Sequence, residues 1–553
     1  MADRYQEPGL DEHSIDETSR WDFYSGQPTP EFRLHNLNHL RVLTESYRST
    51  GDSSQARQAD VLAHRWLRVR GTPDDSPAWH GHPVALRTAT LAYLYAAGFS
   101  PDARMREALQ LHAEFLADPN NYEGAWNHGL DQDIALLQAG RALGDAEVCQ
   151  VAADRVEEAA PALVDGQGVV AEQATTYALY IYQRLGVVSE ELKRAGLPIT
   201  PALRRRDQIP AFLSWATRPD RVMVPVGDSR FAQLPSLAGT EFEFPATGGE
   251  TGTPPPARSM FYDDGWGFIR SGWGEARPYP DESHLTVRYG TFRRIHGHRD
   301  HTSVLWYTGG RPVLDDPGFT GYGDKAIRQY ELAETSHSMV TVEGAGGYCW
   351  DKGTELLHQS RFTLDDDHEV HLLHLGGYAY PDVMRTRSIL HIPALDVLVV
   401  RDAITAPKPV TVNQTWQFGA SFSSSELSPD GQTARLTDPA GSAVLTQLLP
   451  VNAVEDRFGR TEPQAGWVAV GEGRRAPAHS LRFSRRGAQV AFLTAITTRD
   501  DLAVDLASEG AIRVRLASVS PEPLVVVRFD PATGFLPTAR RPRATTRWDH
   551  RED

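Results

Sequence analysis

The chain has 553 residues, 40% hydrophobic and 23% charged, a globular composition too long for one core, so two or more domains are expected. A formal net charge of −16 excludes the broad basic surface that non-specific nucleic-acid binding requires. Two cysteines, Cys149 and Cys349, exclude a disulfide framework, and no apolar run approaches the ~20 residues of a membrane span.

Residues 1–20 are acidic and polar and read as a flexible N-terminus. They lack the basic start and apolar centre of a signal peptide, so a cytoplasmic location is expected, with secretion left open. Residues 21–217 read as helices. Leu34, Leu37, Leu40, Leu43 and Tyr47 recur at helical spacing and predict one helix closed at Gly51-Asp52. SSQARQADVLAHRWLRV, VALRTATLAYLYAAG, RMREALQLHAEFLAD, GLDQDIALLQAGRALGD and TTYALYIYQRLG follow, a succession of helical hairpins able to stack as paired layers around an axis. Residues 218–258, with ATGGETGTPPPAR, read as a linker. From 259 to 535 short β-branched and aromatic runs dominate, among them HLTVRYG, SVLWYTGG, SMVTVEG, VTVNQTWQF and QVAFLTAIT. Few helical stretches interrupt them, which predicts an antiparallel sandwich. Residues 536–553 form a charged tail.

The densest chemistry lies in RRIHGHRDHTSVLWYTGGRPVLDDPG, residues 293–318. His296, His298 and His301 fall within six residues, Asp315-Asp316 follows, and His337 precedes a later β run. Imidazoles and carboxylates are zinc ligands, although a lone His-x-His is more often a surface pair. On one strand His296 and His298 would face the same side. Asn127-His128 opens a helix, where Asn127 has an ordinary alternative as cap. Tyr177 stands at helical spacing from Tyr180, where a packed aromatic is the plain expectation.

Together these stretches resemble heparinase II/III-type polysaccharide lyases over roughly residues 20–530. The resemblance rests on FRLHNLNHLRVLTESYRSTGD, Trp79 followed by Arg87, the Asn-His-Gly segment, DG…E…Y, the histidine-rich stretch and SHSMVTVEG. It implies an α+β multidomain chain, an incomplete (α/α) toroid followed by an antiparallel β-sandwich, with the active site in the cleft between them. It also implies β-elimination on a uronic-acid-containing poly- or oligosaccharide. Asn127 and His128 would neutralise the carboxylate, Tyr177 would exchange protons and His296 would act from the β side. Tyr322 resembles a further family tyrosine, with Tyr330 its rival for that position. Arg87, Arg293 and Arg294 offer bidentate contacts to carboxylates, each with a structural ion pair as the alternative. His298, Asp316 and His337 would hold one structural Zn²⁺. Two departures stand out. His337-Ser338-Met339 replaces the family's His-Asn-Thr, and Glu172-Gln173-Ala174 replaces its Glu-x-Ser. Neither removes a residue assigned to chemistry.

Two rival readings remain. A glycoside hydrolase on the same scaffold would need two carboxylic acids, for which Asp131 and Glu172 are available. A non-catalytic glycan-binding protein would need only the fold. The glycan, endo or exo action and a homodimer are all left open.

Overall fold

The computed structural model describes residues 4–5, 13–15, 21, 28–275, 277–290, 295–344, 353–364, 368–507, 511–516, 525–530 and 534–536. The chain divides into two compact units, Met1–Glu172 with Tyr177–Phe212, and Gln173–Thr176 with Leu213–Asp553. The division falls after Phe212, so the Gly/Pro/Thr-rich segment lies inside the second unit rather than at the joint. Residues 218–258 hold a short helix, Glu243–Ala246, with Pro245, Ala246 and Pro255 buried, and the strand that follows them is Ser259–Tyr262. Among the described residues no helix is long and apolar enough to cross a membrane.

The helical unit carries α1 (Pro28–His35), α2 (Asn38–Thr50), α3 (Ser53–Arg70), α4 (Gly81–Ala96), α5 (Ala103–Ala117), α6 (Asn127–Leu143), α7 (Ala146–Leu163) and α8 (Thr175–Ala195). The leucine series does not make a single helix. Leu37 takes a left-handed φ of 56°, and Asn36 Oδ1 accepts the Asn38 N–H at 2.9 Å, which breaks the run into α1 and α2. Leu34, Leu37 and Leu40 are still all buried. Helix α7 has no counterpart among the segments read from the sequence, yet Asp145 caps it by accepting from the N–H groups of Glu147 and Val148.

Burial sorts these helices into layers. In α7 the buried residues Cys149, Ala152, Val156, Ala159 and Leu163 form one stripe. Helix α6 is buried nearly all round, from Leu130 through Leu137. It therefore belongs to an inner layer, with α5 and α7 running back outside it. His82 of α4 and Tyr180 of α8 both meet Asp131 of α6, in the first halves of their helices. Arg141, near the end of α6, pairs with Glu191 near the end of α8. Helices α4, α6 and α8 are thus parallel, with their N-termini at one end of the helical unit.

Every strand pair of the second unit is antiparallel. Among the described residues it contains a ten-stranded sheet, a five-stranded sheet over 259–314 and a four-stranded sheet over 502–536. The period-2 alternation of the central strands explains how the sheets stack. Leu398 and Val400 enter one apolar core with Val287, Val304 and Trp306 of the five-stranded sheet, whereas Val397 and Val399 enter another with Ile512, Val514 and Val527. The ten-stranded sheet is therefore covered on both faces. The run VTVNQTWQF is the end of one long strand, Val397–Gln417, which pairs with His479–Thr497 and shifts register between Thr405 and Val410. Pro407 and Pro409, without N–H groups, lie in that shift.

Two buried arginines of the strand Val383–Ile392 tie the site-bearing loops to this sheet. Arg387 makes a bidentate pair with Asp402, at 2.7 and 2.8 Å, and donates to the carbonyls of Thr302 and Ser338, both at 2.6 Å. Arg385 donates to the carbonyls of His301 and Val340, both at 3.1 Å. These bonds fix the backbone just after His298 and just after His337.

Candidate active site

In the helical unit the candidate residues gather at the N-terminal end of α6. Trp126 is the N-cap and makes no side-chain cap bond, so the capping role open to Asn127 is not used. The Asn127 backbone N–H donates instead to Glu172 Oε1 at 2.7 Å. Its side-chain Oδ1 is buried without a hydrogen-bond partner. Gly129 explains why this segment is Asn-His-Gly: a Cβ there would lie 1.8 Å from the Gly124 carbonyl oxygen. The His128 ring stacks on His82, with centroids 3.8 Å apart and planes 11° apart, and its Nδ1 lies 2.7 Å from Glu123 Oε2. A cavity of about 350 Å³ opens beside them, lined by Trp79, His80, His82, Asn121, Glu123 and His128. Aromatic faces beside polar groups suit a sugar.

Below this surface Asp131 collects His82 Nε2 at 3.1 Å, the Tyr180 hydroxyl at 2.6 Å and the Arg184 guanidinium. Burial would raise its carboxyl, but His82, Arg184 and Tyr180 together hold it below its ordinary value. Burial, and then the Asp131 charge, pushes the Tyr180 phenol up. Tyr180 is therefore a fixed hydrogen-bond donor. Tyr177, half-buried, is the third residue of α8, its ring 6.3 Å from that of Tyr180.

The residues just before Tyr177 are held within the second unit. Gln173 has a φ of 48°, Thr175 N–H donates to Ser229 Oγ at 2.8 Å, and Thr175 Oγ1 donates to the Val224 carbonyl at 2.8 Å. Gly227, at a φ of 63°, passes so close that a Cβ would lie 2.5 Å from the carbonyl oxygens of both Gln173 and His296. The Asp228 N–H donates to the same His296 carbonyl at 2.8 Å.

His296 is not on a strand. It occupies a turn at a φ of 58°, between the strands His284–Arg288 and Val304–Thr308, so the shared-face argument for His296 and His298 does not apply. His298 is buried, with Nε2 at 3.0 Å from Asp228 Oδ1. Asp228 is the residue that sequence reasoning passed over. It also accepts the Tyr322 hydroxyl at 2.8 Å and pairs with Arg328 at 2.6 Å. Burial acts to raise its carboxyl, but the bond from His298 and the charges of His298 and Arg328 outweigh burial and lower it. Its only signal was a Gly-Asp pair in a segment taken for linker.

Tyr322 is 41% exposed, whereas Tyr330 is 7% exposed and donates its hydroxyl to the Trp467 carbonyl at 2.8 Å. Of the two rivals only Tyr322 presents a phenol at a surface. Arg87 requires a correction, because it is fully buried in the helical unit. It donates to His112 Nε2 and to the carbonyls of His35 and Ala78, each at 2.9 Å, and stacks on Trp66 and Trp79. Burial, and then the Arg87 charge, lowers His112 to about 3, which keeps it the neutral acceptor this bond needs. Arg87 is a structural cation rather than a substrate ligand. Arg293 and Arg294, like Cys349, lie outside the described residues.

His298, Asp316 and His337 are each at most 2% exposed. His337 Nδ1 lies 2.9 Å from Asp316 Oδ2, and the two imidazole rings are 5.7 Å apart. His298 Nδ1 and His337 Nε2 are buried without hydrogen-bond partners. Each ring spends one nitrogen on a carboxylate, Asp228 or Asp316, and leaves the other unpartnered, a donor set that fits a zinc site in chemistry. The donor atoms do not all converge within 4.8 Å of one another; among the described residues the trio that does is Asp60, His64 and Asp102.

Residues 253–515 match the family described as heparinase II/III-like, C-terminal. Those residues form a heparinase II/III-like C-terminal region. No curated protein matches the chain's sequence. The chain is similar to solved structures over most of its length. With a heparinase III it shares a TM-score of 0.76 at 15% identity, covering 92% of this chain and 85% of that one. With a mutant of the heparan sulfate lyase HepC from Pedobacter heparinus the TM-score is 0.68 at 17% identity, covering 93% and 85%. A Paenibacillus xanthan lyase gives 0.53 at 8% identity, covering 93% and 58%. The fold is that of a helical toroid followed by stacked antiparallel sheets, and a polysaccharide lyase is the enzyme class to which the family points.

Proposed function

We propose that this chain cleaves a uronic-acid-containing poly- or oligosaccharide by β-elimination. The supporting observation is the start of α6, where the Asn127 side chain is spent on no cap and follows directly before His128, which lines a cavity with His82 and Glu123. Elimination needs the uronate carboxylate damped, the C5 proton removed and the C4 oxygen protonated as its bond to C4 breaks. The electron pair left at C5 becomes the C4–C5 double bond. Asn127 and His128 neutralise the carboxylate, Tyr177 exchanges the proton, and His296 is the opposing base or neutralising group. Tyr322, whose hydroxyl donates to Asp228, is the second phenol of this reading.

The hydrolase reading fares worse on the same geometry. Asp131 and Glu172 are each 1% exposed and already engaged, and Asp131 is shifted down, opposite to a general acid. Incubation with a panel of uronans should generate ultraviolet-absorbing unsaturated uronyl ends. Saturated products carrying oxygen from solvent water would replace the lyase by the hydrolase, and tight binding without cleavage would favour the non-catalytic reading.

For the metal, His298, Asp316 and His337 are the residues that would hold a structural Zn²⁺, about one per chain. Its chemistry there would be to lock two loops and keep neighbouring His296 in place. His298→Ala should lower zinc content and melting temperature together, whereas His296→Ala should lose turnover and keep zinc. Metal-free native protein, or zinc loss without a change in melting, would remove this role.

A further inference from the structure

The helical unit has another cavity, of about 360 Å³, remote from His128. It is formed by the later parts of α4, α6 and α8 together with α2. Its polar lining includes Arg41, Arg48, Tyr93, Arg141, Glu191 and Arg194, over alanines of α4. Between His128 and Arg141 lie thirteen helical steps, or about 20 Å at ~1.5 Å per residue, so this cavity is distinct from the one beside His128.

Four guanidinium groups share this space with one carboxylate. Glu191 is already taken by Arg141 and by Arg194, the latter at 3.0 Å. Arg41 and Arg48 make no ion pair among the described residues. Both stand over the Tyr93 ring, with the guanidinium carbons 5.7 and 5.0 Å from its centroid. Arg41 donates through Nη2 to the Ala89 carbonyl at 3.0 Å, but its Nε and the Tyr93 hydroxyl are buried without hydrogen-bond partners. Burial, and then the charge of Arg184, lowers Arg41's hold on its proton.

A plain explanation covers part of this. Cations at helix C-termini are favoured by the helix dipole, which accounts for Arg48, Arg141 and Arg194 in their last turns. It does not account for Arg41, the fourth residue of α2, where the dipole opposes a cation. Nor does it account for two idle buried donors in the same cavity, since buried polar groups are normally partnered. In a chain of net charge −16, a local surplus of cations with unused donors is the signature of an anion site.

We propose that this cavity binds a compact polyanion, through oxyanion groups held by Arg41, Arg48, Arg141 and Arg194 with the Tyr93 hydroxyl as a neutral donor. The shared ligand chemistry is two or more phosphate or carboxylate groups on a small molecule, from either a polyphosphate or an acidic saccharide. The test is calorimetric titration of the full chain at constant ionic strength with pyrophosphate and, separately, with digalacturonate. One of the two should bind saturably at one per chain, and which one does identifies the source. The double variant Arg48→Gln/Arg194→Gln removes two rim charges whose loss leaves no buried carboxylate unpaired, because Arg141 still holds Glu191. It should melt like the wild type and weaken that binding roughly tenfold or more, and Arg48→Lys should retain most of it. Absence of saturable binding by both probes at millimolar concentration, or binding unchanged in the double variant, overturns the proposal. Either result leaves the lyase reading standing, since none of these residues acts in it.

Discussion

Tyr177→Phe is expected to fold and bind substrate like the wild type and to lose roughly 10²–10⁴-fold in turnover, the range of a general acid–base group. The loss should be larger still if one phenol makes both proton transfers. Only the hydroxyl oxygen is removed. The ring packs beside Tyr180, whose own hydroxyl is committed to Asp131, so the aromatic contact survives the change. The backbone is equally insulated. Thr175 and Thr176 anchor the first turn of α8 through Ser229, Val224 and Arg230, and none of those bonds involves the phenol. A melting temperature unchanged alongside collapsed kcat is therefore the expected pair of readings. A fully active Tyr177→Phe would leave the lyase class in place and transfer the proton exchange to Tyr322 or His128. Tyr330 is no longer a candidate, because its hydroxyl is buried against Trp467.

What the sequence disclosed follows the range of the interactions involved. Helical and strand periodicity is local, and the two architectures were readable from leucine spacing and β-branched runs. Breaks within elements were less visible. Leu37 carries the right residue for a continuous helix, and only the Asn36 side chain, by capturing the Asn38 N–H, stops it. Helix α7 was missed because its stripe is mostly alanine and valine, a weak apolar signal that one buried face satisfies. Site residues in recognisable motifs could be named, but their surroundings could not. Arg87 looks like any exposed cation until Trp66, Trp79 and three acceptors close around it. Asp228 joins Tyr322, His298, Arg328 and the His296 backbone across separations that no local pattern encodes. The Arg387–Asp402 pair is similar. Fifteen residues apart, the two meet only because their strands pair in a register that sets them opposite one another.

Asn127→Ala should fail in a different way from the tyrosine variant. An amide donating to a carboxylate that gathers charge as the C5 proton leaves resembles an oxyanion-hole donor, and its loss should cost roughly 3–4 kcal/mol of transition-state stabilisation, about 10²–10³-fold in kcat. The structure separates this from a folding defect. Asn127 caps nothing with its side chain, and its backbone N–H, which alanine keeps, is the group that Glu172 holds. Its side-chain oxygen has no partner to abandon. Melting should therefore stay close to the wild type while turnover falls. A further readout distinguishes charge neutralisation from simple positioning. On a substrate whose uronates are methyl-esterified the carboxylate charge is already gone, so the deficit of Asn127→Ala relative to wild type should shrink markedly. The Tyr177→Phe deficit should persist there, because a proton must still be moved. An Asn127→Ala deficit equal on free and esterified substrate would mean that the amide positions the sugar and does not neutralise it. An unimpaired variant would take Asn127 out of the reaction altogether and leave carboxylate neutralisation to His128 and His296.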